Sequence, residues 1–304
     1  MSEQISSRST WGWWVLVGLA VVLAGGGAWW YRSCRPQAKI AKELNQGIVL
    51  YQSSQFPAAI ALFQKVVTND PTQVRGWLYL GASYAQQFVP GGVSPENGQY
   101  AMRAIEAFEG GLKADPGNKL AMTAIGNIYY EMGDIEKARE WEQKRQAVEP
   151  DNPDVYYWVG VLDWDSCFRQ GAHLRESLGI SSDLKVPLPE KARAELEKEN
   201  GPLVEEGMKE LTKALQLQAN FTDAMVYMNL MYRQKAELER DATARTSDLT
   251  TADAWVDKAL EIRRASEGVT PMPAPADKDF DFLLTSPPPP PPPPPTSRLG
   301  GPCD

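Results

Sequence analysis

The sequence is poor in the residues that enzymes most often use for catalysis and metal binding. It contains a single histidine, His173, in 304 residues. Its three cysteines, Cys34, Cys167 and Cys303, lie far apart and form no CxxC pair, which argues against a zinc site or a disulfide framework. A GxxxxGK[ST] phosphate loop, a GxSxG nucleophile motif and an HExxH zinc motif are also missing. We therefore predict that the protein is not an enzyme and uses no cofactor, metal or small-molecule substrate.

One short acidic segment comes closest to a chemical site. Asp163, Asp165 and Cys167 lie in the segment DWDSC, and His173 follows nearby. On a helix Asp163 and Cys167 share a face while Asp165 points away, so these side chains would not converge on a metal ion. Cys167 and His173 have no evident third partner for a nucleophilic site. We interpret the segment as the acidic end of a helix.

Positive charge is also scarce. The chain has 31 Lys and Arg against 39 Asp and Glu, a formal net charge of -8 and a pI near 5.0. Nucleic-acid binding depends on clustered Lys and Arg that contact phosphates. The charge balance therefore predicts no nucleic-acid partner.

The amino-terminal region contains a long uncharged segment. Residues 11–30, WGWWVLVGLAVVLAGGGAWW, would form a helix about 30 Å long, which is the thickness of the hydrocarbon core of a bilayer. Tryptophans at both ends match the aromatic belts of the two membrane interfaces. We predict an N-terminal tail at 1–10 and a transmembrane helix at 11–31. A cleaved signal peptide with a core at 14–24 is the alternative.

The basic residues around this segment bear on its orientation. Arg8 alone precedes it, whereas four basic residues follow it closely: Arg32, Arg35, Lys39 and Lys42. By the positive-inside rule this bias favours a cytoplasmic location for the rest of the chain. The side of the membrane stays open at this point.

Glycines mark an internal repeat in the middle of the chain. The step from Gly47 to Gly81 is 34 residues, and the steps from Gly81 to Gly126 and from Gly160 onward are longer and need insertions. Apolar residues recur around these glycines at intervals of three and four, as in amphipathic helices. The segments DPTQ, DPGN and PDNP would end one helix and cap the next. Because one hairpin cannot bury its own apolar face, we predict an all-α solenoid of stacked helical hairpins.

The spacing of small, aromatic and proline residues resembles the tetratricopeptide repeat family, whose period is 34 residues. The resemblance rests on five units: Gly47, Ala59, Phe63 and Pro71; Trp77, Leu80, Gly81, Tyr84, Ala104, Phe108 and Pro116; Gly126, Tyr129, Gly133, Ala138 and Pro150; Tyr156, Val159, Gly160, Gly207, Leu211, Ala214 and Leu217; Met228, Tyr232, Ala252, Val256, Ala259 and Leu260. Together they place a repeat domain at 36–267. Asp163 departs from the family's usual Tyr, and Glu142 and Arg145 occupy normally apolar or small positions.

Three segments interrupt the repeats. The segment at about 86–100 is rich in glycine and proline and is predicted to be a surface loop. The largest interruption, at about 166–204, contains a predicted charged helix bounded by prolines, which is either a solvated helix or a docking element. The bounding prolines are Pro187, Pro189 and Pro202. A third interruption, at about 241–251, would separate the last two helices.

The carboxyl-terminal residues 268–304 differ in composition from the repeats. They include nine consecutive prolines at 287–295 and too few apolar residues to form a core. We predict that this tail is disordered or adopts polyproline II conformation. It would serve as a spacer or as a ligand for aromatic grooves of the SH3 or WW kind.

The resemblance implies a concave groove lined by the first helix of each unit. Nine exposed positions of these helices are predicted to contact a partner: Arg75, Asn127, Tyr130, Glu131, Tyr157, Trp164, Asp165, Arg233 and Gln234. Aromatic and Arg side chains among them are the types that dominate binding energy. Alternatively, the large insertion covers Tyr157 and Trp164. The carboxylate clamp of some relatives is not expected, because Leu78 and Thr123 stand where basic residues would be needed.

These observations predict a single-pass protein, similar to membrane-anchored tetratricopeptide proteins of the bacterial inner membrane. Its function would be to hold or assemble protein or peptide partners through the groove. A chaperone-like assembly factor for newly exported or membrane proteins is the alternative. An enzymatic role would rest on Cys167 and His173 alone.

Overall fold

A computed structural model of the protein describes residues 37–181 and 186–266, and within them ten α helices and no β strand occur. The helices are α1 at 37–52, α2 Phe56–Asn69, α3 Val74–Ala85, α4 Pro95–Ala114, α5 Lys119–Glu131, α6 Ile135–Val148, α7 Pro153–Ser177, α8 Glu190–Leu217, α9 Thr222–Leu238 and α10 Ala242–Ser266. None of these helices is long and apolar enough to cross a bilayer. The predicted membrane helix at 11–31 and the tails at 1–10 and 268–304 lie outside the described residues.

Helices that follow one another in the chain pack against one another. α3 contacts α4, α5 contacts α6, α7 contacts α8 and α9 contacts α10, and Gly47 of α1 lies against Phe63 of α2, which gives five hairpins. The second helix of each hairpin also contacts the first helix of the next hairpin. This order confirms the predicted all-α stack of hairpins.

Glycines allow the two helices of a hairpin to approach closely. A Cβ atom at Gly47 would lie 2.5 Å from the Phe63 ring, and one at Gly81 would lie 2.8 Å from the Phe108 ring. Both rings are fully buried. The predicted pairing of a small residue with a large aromatic therefore holds α1 against α2 and α3 against α4.

Side chains cap several of the predicted helix starts. The Asn118 side chain in DPGN accepts a hydrogen bond from the Ala121 N–H, and Asn152 in PDNP accepts one from the Asp154 N–H. These bonds satisfy donors that have no partner within the first turn of a helix. The first connection differs, because Asp70 of DPTQ accepts from the Thr72 N–H within the turn.

Two apolar cores lie along the array. One is built mainly from α1 to α6, and the other from α7 to α10. Charged side chains separate them where α6 meets α7 and α8. Arg139 Nε lies 2.7 Å from Asp163 Oδ1, and the same guanidinium pairs with Glu206. Arg145 pairs with Glu142 at 2.7 Å. We call this set of side chains the polar junction.

The structure corrects the predicted loop at 86–100. Only its first part is a loop, because α4 begins at Pro95. Ser94 caps the helix by accepting from the Asn97 N–H, and proline suits the first position of a helix. The Asn97 side chain in turn bonds to both backbone groups of Val89, which folds the loop onto the start of the helix.

The other two interruptions are largely helical. α7 continues to Ser177, and α10 begins at Ala242, so 242–251 extends the last helix. The predicted helix end at Pro202 is wrong, because α8 passes through this proline. Leu196 and Val204 on its two sides are buried in the second core. Their packing offsets the roughly 3 kcal/mol that an interior proline costs a helix.

Candidate partner-binding groove

The odd-numbered helices form the inner side of the array. α3 contacts α5 and α7 contacts α9, whereas within the described residues successive even-numbered helices make no comparable backbone approach. An array curves toward the side on which its helices lie closer together. We call the side formed by α3, α5, α7 and α9 the inner face.

The nine predicted groove residues all lie on these four helices, but their exposure differs. Arg75 is exposed, and four residues are half-buried: Asn127, Tyr130, Glu131 and Arg233. Four are buried: Tyr157, Trp164, Asp165 and Gln234. The array therefore presents only part of the predicted set to a partner.

Tyr157 and Trp164 are covered by α9 and by the residue before it. The Tyr227 ring centroid lies 5.5 Å from that of Tyr157 and 5.4 Å from that of Trp164, both edge-on. Phe221 packs on Tyr157 at 5.0 Å. The prediction that Tyr157 and Trp164 are exposed is wrong, because the next hairpin uses them as packing residues.

The two buried polar residues of the set are held by other groups of the protein. Asp165 Oδ2 accepts a hydrogen bond from Arg169 Nε at 2.9 Å. Gln234 lies beside Gly171, close enough that its Oε1 would be 3.9 Å from a Cβ atom there. Asp165 and Gln234 therefore shape the inner face instead of reaching out from it.

An open patch remains between α5 and α7. The half-buried Tyr130 packs edge-on against Trp158, with ring centroids 6.3 Å apart. Phe168 stacks on Trp164 at 5.2 Å while 42% of its surface stays exposed. We call Tyr130, Phe168 and the Asp165–Arg169 pair the inner patch.

Phe168 and Arg169 were not among the predicted site residues, because they fall in the segment interpreted as an insertion from 166. One signal could have found them. Phe168 follows Trp164 by four residues, which places both on one helical face if the first helix of the unit continues. α7 does continue, to Ser177.

Tyr130, Tyr157 and Tyr227 keep their protons at neutral pH. Burial raises the pKa of Tyr130, the nearby Asp165 carboxylate raises it further, and Arg169 lowers it. Burial likewise raises the pKa of Tyr157 and Tyr227. Tyr130 therefore offers a neutral hydroxyl beside an aromatic surface and a balanced ion pair. This combination suits an amphipathic protein segment more than a strongly charged ligand.

The segment around Cys167 holds the residues considered for catalysis or metal binding. Cys167 is buried, its Sγ lies 3.8 Å from the Asn200 carbonyl oxygen, and burial raises the pKa of its thiol to about 12. This shift is opposite to the one that activates a cysteine nucleophile. Across 37–181 and 186–266, no group of three or more His, Cys, Asp and Glu side chains is arranged to hold a metal ion.

Comparison with protein families finds tetratricopeptide repeats in two parts of the chain. One tetratricopeptide repeat model matches residues 44–87 and a second matches residues 96–158. The first spans the end of α1 to just beyond α3, and the second spans α4 to the start of α7. These two segments are therefore similar to tetratricopeptide repeats. No curated protein matches it in sequence.

Solved structures with a similar fold include several titled MamA. A crystal structure of MamA protein aligns with a TM-score of 0.50 and 17% identity over 78% of this chain and 98% of that one. MamA from Desulfovibrio magneticus RS-1 has a TM-score of 0.48 and 15% identity over 75% and 97% of the two chains. YrrB, described as a TPR protein with an unusual peptide-binding site, aligns with a TM-score of 0.46 and 13% identity over 80% of this chain and 88% of that one. At these identities the similarity concerns the fold.

Proposed function

We propose that the protein is a membrane-anchored scaffold that binds a protein or peptide partner on its inner face. The observation that carries the proposal is the inner patch, a half-open aromatic surface with an adjoining ion pair on the inner helices of a tetratricopeptide array. Turnover, cofactor and metal play no part in this function.

The inner patch has the composition of a binding hot spot. Tyr130 and Phe168 are aromatic, and each rests on a tryptophan that limits its motion, Trp158 or Trp164. Aromatic side chains that are already held in place lose little conformational entropy when they are covered, and aromatic and Arg side chains are the types that most often dominate binding energy. The partner would be an extended segment or a helix with one or two apolar side chains, flanked by polar groups that meet Asp165 and Arg169.

The proposed anchor is the N-terminal segment at 11–31. Its support is the uncharged stretch of bilayer length with tryptophan at both ends. We propose that it holds the repeats close to one face of a bacterial inner membrane, and the bias of basic residues favours the cytoplasmic face. Carbonate extraction of membranes tests the anchor, and protease accessibility of α1 in sealed vesicles tests the side. Release of the intact chain by carbonate would contradict the anchor.

The test of binding compares partner capture by full-length protein and two variants in native membranes. Tyr130→Ala with Phe168→Ala removes the aromatic surface of the inner patch. Met102→Ala is the matched control, because Met102 is 43% exposed on α4, which belongs to the other side of the array. We expect the double variant to lose a discrete cross-linked partner, with at least a tenfold weaker affinity when that partner is purified. The control should retain it.

Two other outcomes would contradict the proposal. Equal capture of one partner by all three proteins would place the binding site away from the inner patch. Capture of many unrelated unfolded chains, together with suppression of their aggregation, would favour the chaperone-like assembly factor.

A further inference from the structure

The last hairpin leaves some apolar side chains more open than the matching side chains of several earlier hairpins. Its second helix, α10, carries Val256 at the position that Phe63, Phe108 and Leu211 occupy in the first, second and fourth hairpins. Those three side chains are fully buried, whereas Val256 is only half-buried. One turn further along α10, Leu260 is 40% exposed.

The first helix of the last hairpin shows the same difference. Val226 on α9 corresponds to Leu78 on α3 and to Tyr157 on α7 when the helices are aligned on Gly81, Gly160 and Asn229. Leu78 and Tyr157 are buried, whereas Val226 is half-buried, as is Thr123 at the matching position of α5. Leu230, one turn further on, is half-buried as well. We call Val226, Leu230, Val256 and Leu260 the terminal face.

The position of Val256 in earlier hairpins, and that of Val226 on α3 and α7, are buried because the next hairpin stacks on them. α2, α4, α6 and α8 each contact the helix that follows, and Tyr227 of α9 covers Tyr157. No described helix follows α10. When the end of a repeat array carries apolar residues of the kind that are buried in its interior, another segment must cover them for the array to remain soluble and stable.

The chain beyond α10 contains one segment suited to this role. Residues 279–284, DFDFLL, hold four large apolar side chains within five positions: Phe280, Phe282, Leu283 and Leu284. Elsewhere in 267–304 large apolar residues occur singly among prolines and small or polar residues. The segment also carries Asp279 and Asp281, opposite in charge to Arg263 and Arg264 in the last turn of α10.

The connection is long enough for this segment to reach the terminal face. Thirteen residues, 267–279, separate Ser266 from Phe280 and span up to about 40 Å when extended. Val256 lies ten residues before Ser266, which is about 15 Å along the helix. A connection of this length gives the tethered segment an effective concentration on the order of millimolar, so weak apolar contacts suffice.

We propose that residues 279–284 dock on the terminal face of the same chain and act as its cover. Phe280 and Phe282 would pack on Val256 and Leu260, and the aspartates would lie toward the basic last turn of α10. The proline run at 287–295 would then begin close to the end of the array instead of on a long free tether.

Photo-cross-linking of the full-length protein tests this docking. A benzophenone amino acid replaces Leu260 in one sample and Ala254 in the control, since Ala254 is exposed on the opposite side of α10. Each protein is prepared as an equal mixture of ¹⁴N and ¹⁵N chains. We expect the probe at 260 to cross-link to 279–284 within chains of one isotope, and the probe at 254 not to do so.

The isotope labels distinguish the other possible occupants. Cross-links from position 260 that join ¹⁴N to ¹⁵N chains would show that a second copy covers the face and would overturn the proposal. Cross-links that avoid 279–284 altogether would overturn it too.

Hydrogen exchange provides a second measurement that needs no probe in α10. A variant with Ser at Phe280, Phe282, Leu283 and Leu284 should exchange its α9 and α10 amides about tenfold faster, with α3 unchanged. The matched control replaces the proline run at 287–295 by Gly and Ser and should leave α10 unaffected. Equal exchange in the tail variant and the wild type would refute the docking.

Discussion

The front of the array, α1 to α6, and the back, α7 to α10, stack in the same order but are stabilised differently. The front has short helices, such as α3 with 12 residues and α5 with 13, and glycine–aromatic contacts in its first two hairpins. The back has helices of 25 and 28 residues in α7 and α8, and buried ion pairs such as Arg175–Glu237. The tetratricopeptide matches end at 158, near the start of α7, so they cover the front and not the back.

The polar junction explains why the repeat pattern weakens at this point. Glu142 occupies the position of Phe63 and Phe108 in earlier hairpins, and its carboxylate faces Gly126 in place of an aromatic ring. Burying a charged pair at such a position has a desolvation cost, which burying an aromatic ring does not have. The back therefore keeps the hairpin order but is held together by different contacts. Its helices can be longer than those of the front because they do not depend on the regular glycine–aromatic spacing.

The largest expected effect comes from the buried ion pair of the back. Arg175 Nε donates to Glu237 Oε1 at 2.5 Å, and both side chains are less than 5% exposed. Arg175→Met should lower the free energy of unfolding by about 3–5 kcal/mol, because it leaves the Glu237 carboxylate buried without its cation. Urea denaturation followed by circular dichroism measures the loss.

A double variant separates the ion pair from its apolar alternative. Arg175→Met with Glu237→Met removes both charges at once and should recover about half or more of that loss. If the double variant were as unstable as the single one, the effect would come from packing or from the backbone carbonyls that Arg175 also binds at Ser181 and Val186.

Glycine substitutions compare the two regions directly. A methyl group at Gly81 would meet the Phe108 ring at 2.8 Å, and one at Gly160 would meet Leu211 at 2.5 Å. Gly81→Ala and Gly160→Ala should each cost about 1–3 kcal/mol. Hydrogen exchange should show the weakening mainly in α1–α4 for Gly81→Ala and mainly in α7–α10 for Gly160→Ala.

The control for these substitutions is Gly98→Ala. Gly98 lies in α4, and a methyl group there would meet nothing within 4 Å. Alanine stabilises a helix by about 0.5–1 kcal/mol relative to glycine, so this variant should be slightly more stable than the wild type. Equal weakening of all ten helices by both interior variants would show that the front and back unfold as one unit.

The sequence predicts the hairpin order well, because the pattern of Gly47, Phe63, Gly81 and Phe108 is local and regular. It predicts helix bounds poorly where tertiary packing decides them. Pro202 is a helix breaker by propensity, yet the buried contacts on both sides carry α8 through it. The Ser94–Pro95 pair was a recognisable start signal inside the segment interpreted as a loop.

The location of the groove could be predicted from the sequence, but the residues that are exposed in it could not. Which inner positions stay open depends on the residue that the next hairpin places over them. Tyr227 covers Tyr157 and Trp164, and the register of α9 that brings it there follows an irregular insertion. Phe168 became part of the inner patch only because α7 is longer than a regular first helix.

The polar junction should make stability depend on pH in an unusual direction. Burial raises the pKa of Asp163 to about 7, the Arg139 guanidinium opposes this, and Glu206 and Glu210 on α8 add to it. An ordinary unfolded aspartate has a pKa near 3.9. The folded state therefore favours the protonated acid, and this contribution to stability is lost as pH rises from about 4 through about 7.

Asp163→Asn isolates this contribution, because it removes the titrating group and keeps the side-chain shape. The unfolding free energy of the wild type minus that of the variant should decrease by roughly 2–3 kcal/mol between pH 5 and pH 8. Taking the difference cancels the contributions of the other carboxylates to stability. Glu142 is one of them, since burial also raises its pKa to about 7. A difference that stays constant between pH 5 and pH 8 would mean that Arg139 keeps Asp163 ionised throughout that range.

The smallest effect is expected from an exposed ion pair in the same region. Arg240 pairs with Glu190 at the start of α8, and both side chains are more than two-thirds exposed. Water and salt screen such a pair, and ordering two long side chains offsets most of its attraction. Arg240→Gln should therefore change the unfolding free energy by no more than about 0.5 kcal/mol, measured in the same urea denaturation as Arg175→Met. A loss close to that of Arg175→Met would mean that the back depends on its ion pairs whether or not they are buried, and burial would no longer explain how it differs from the front.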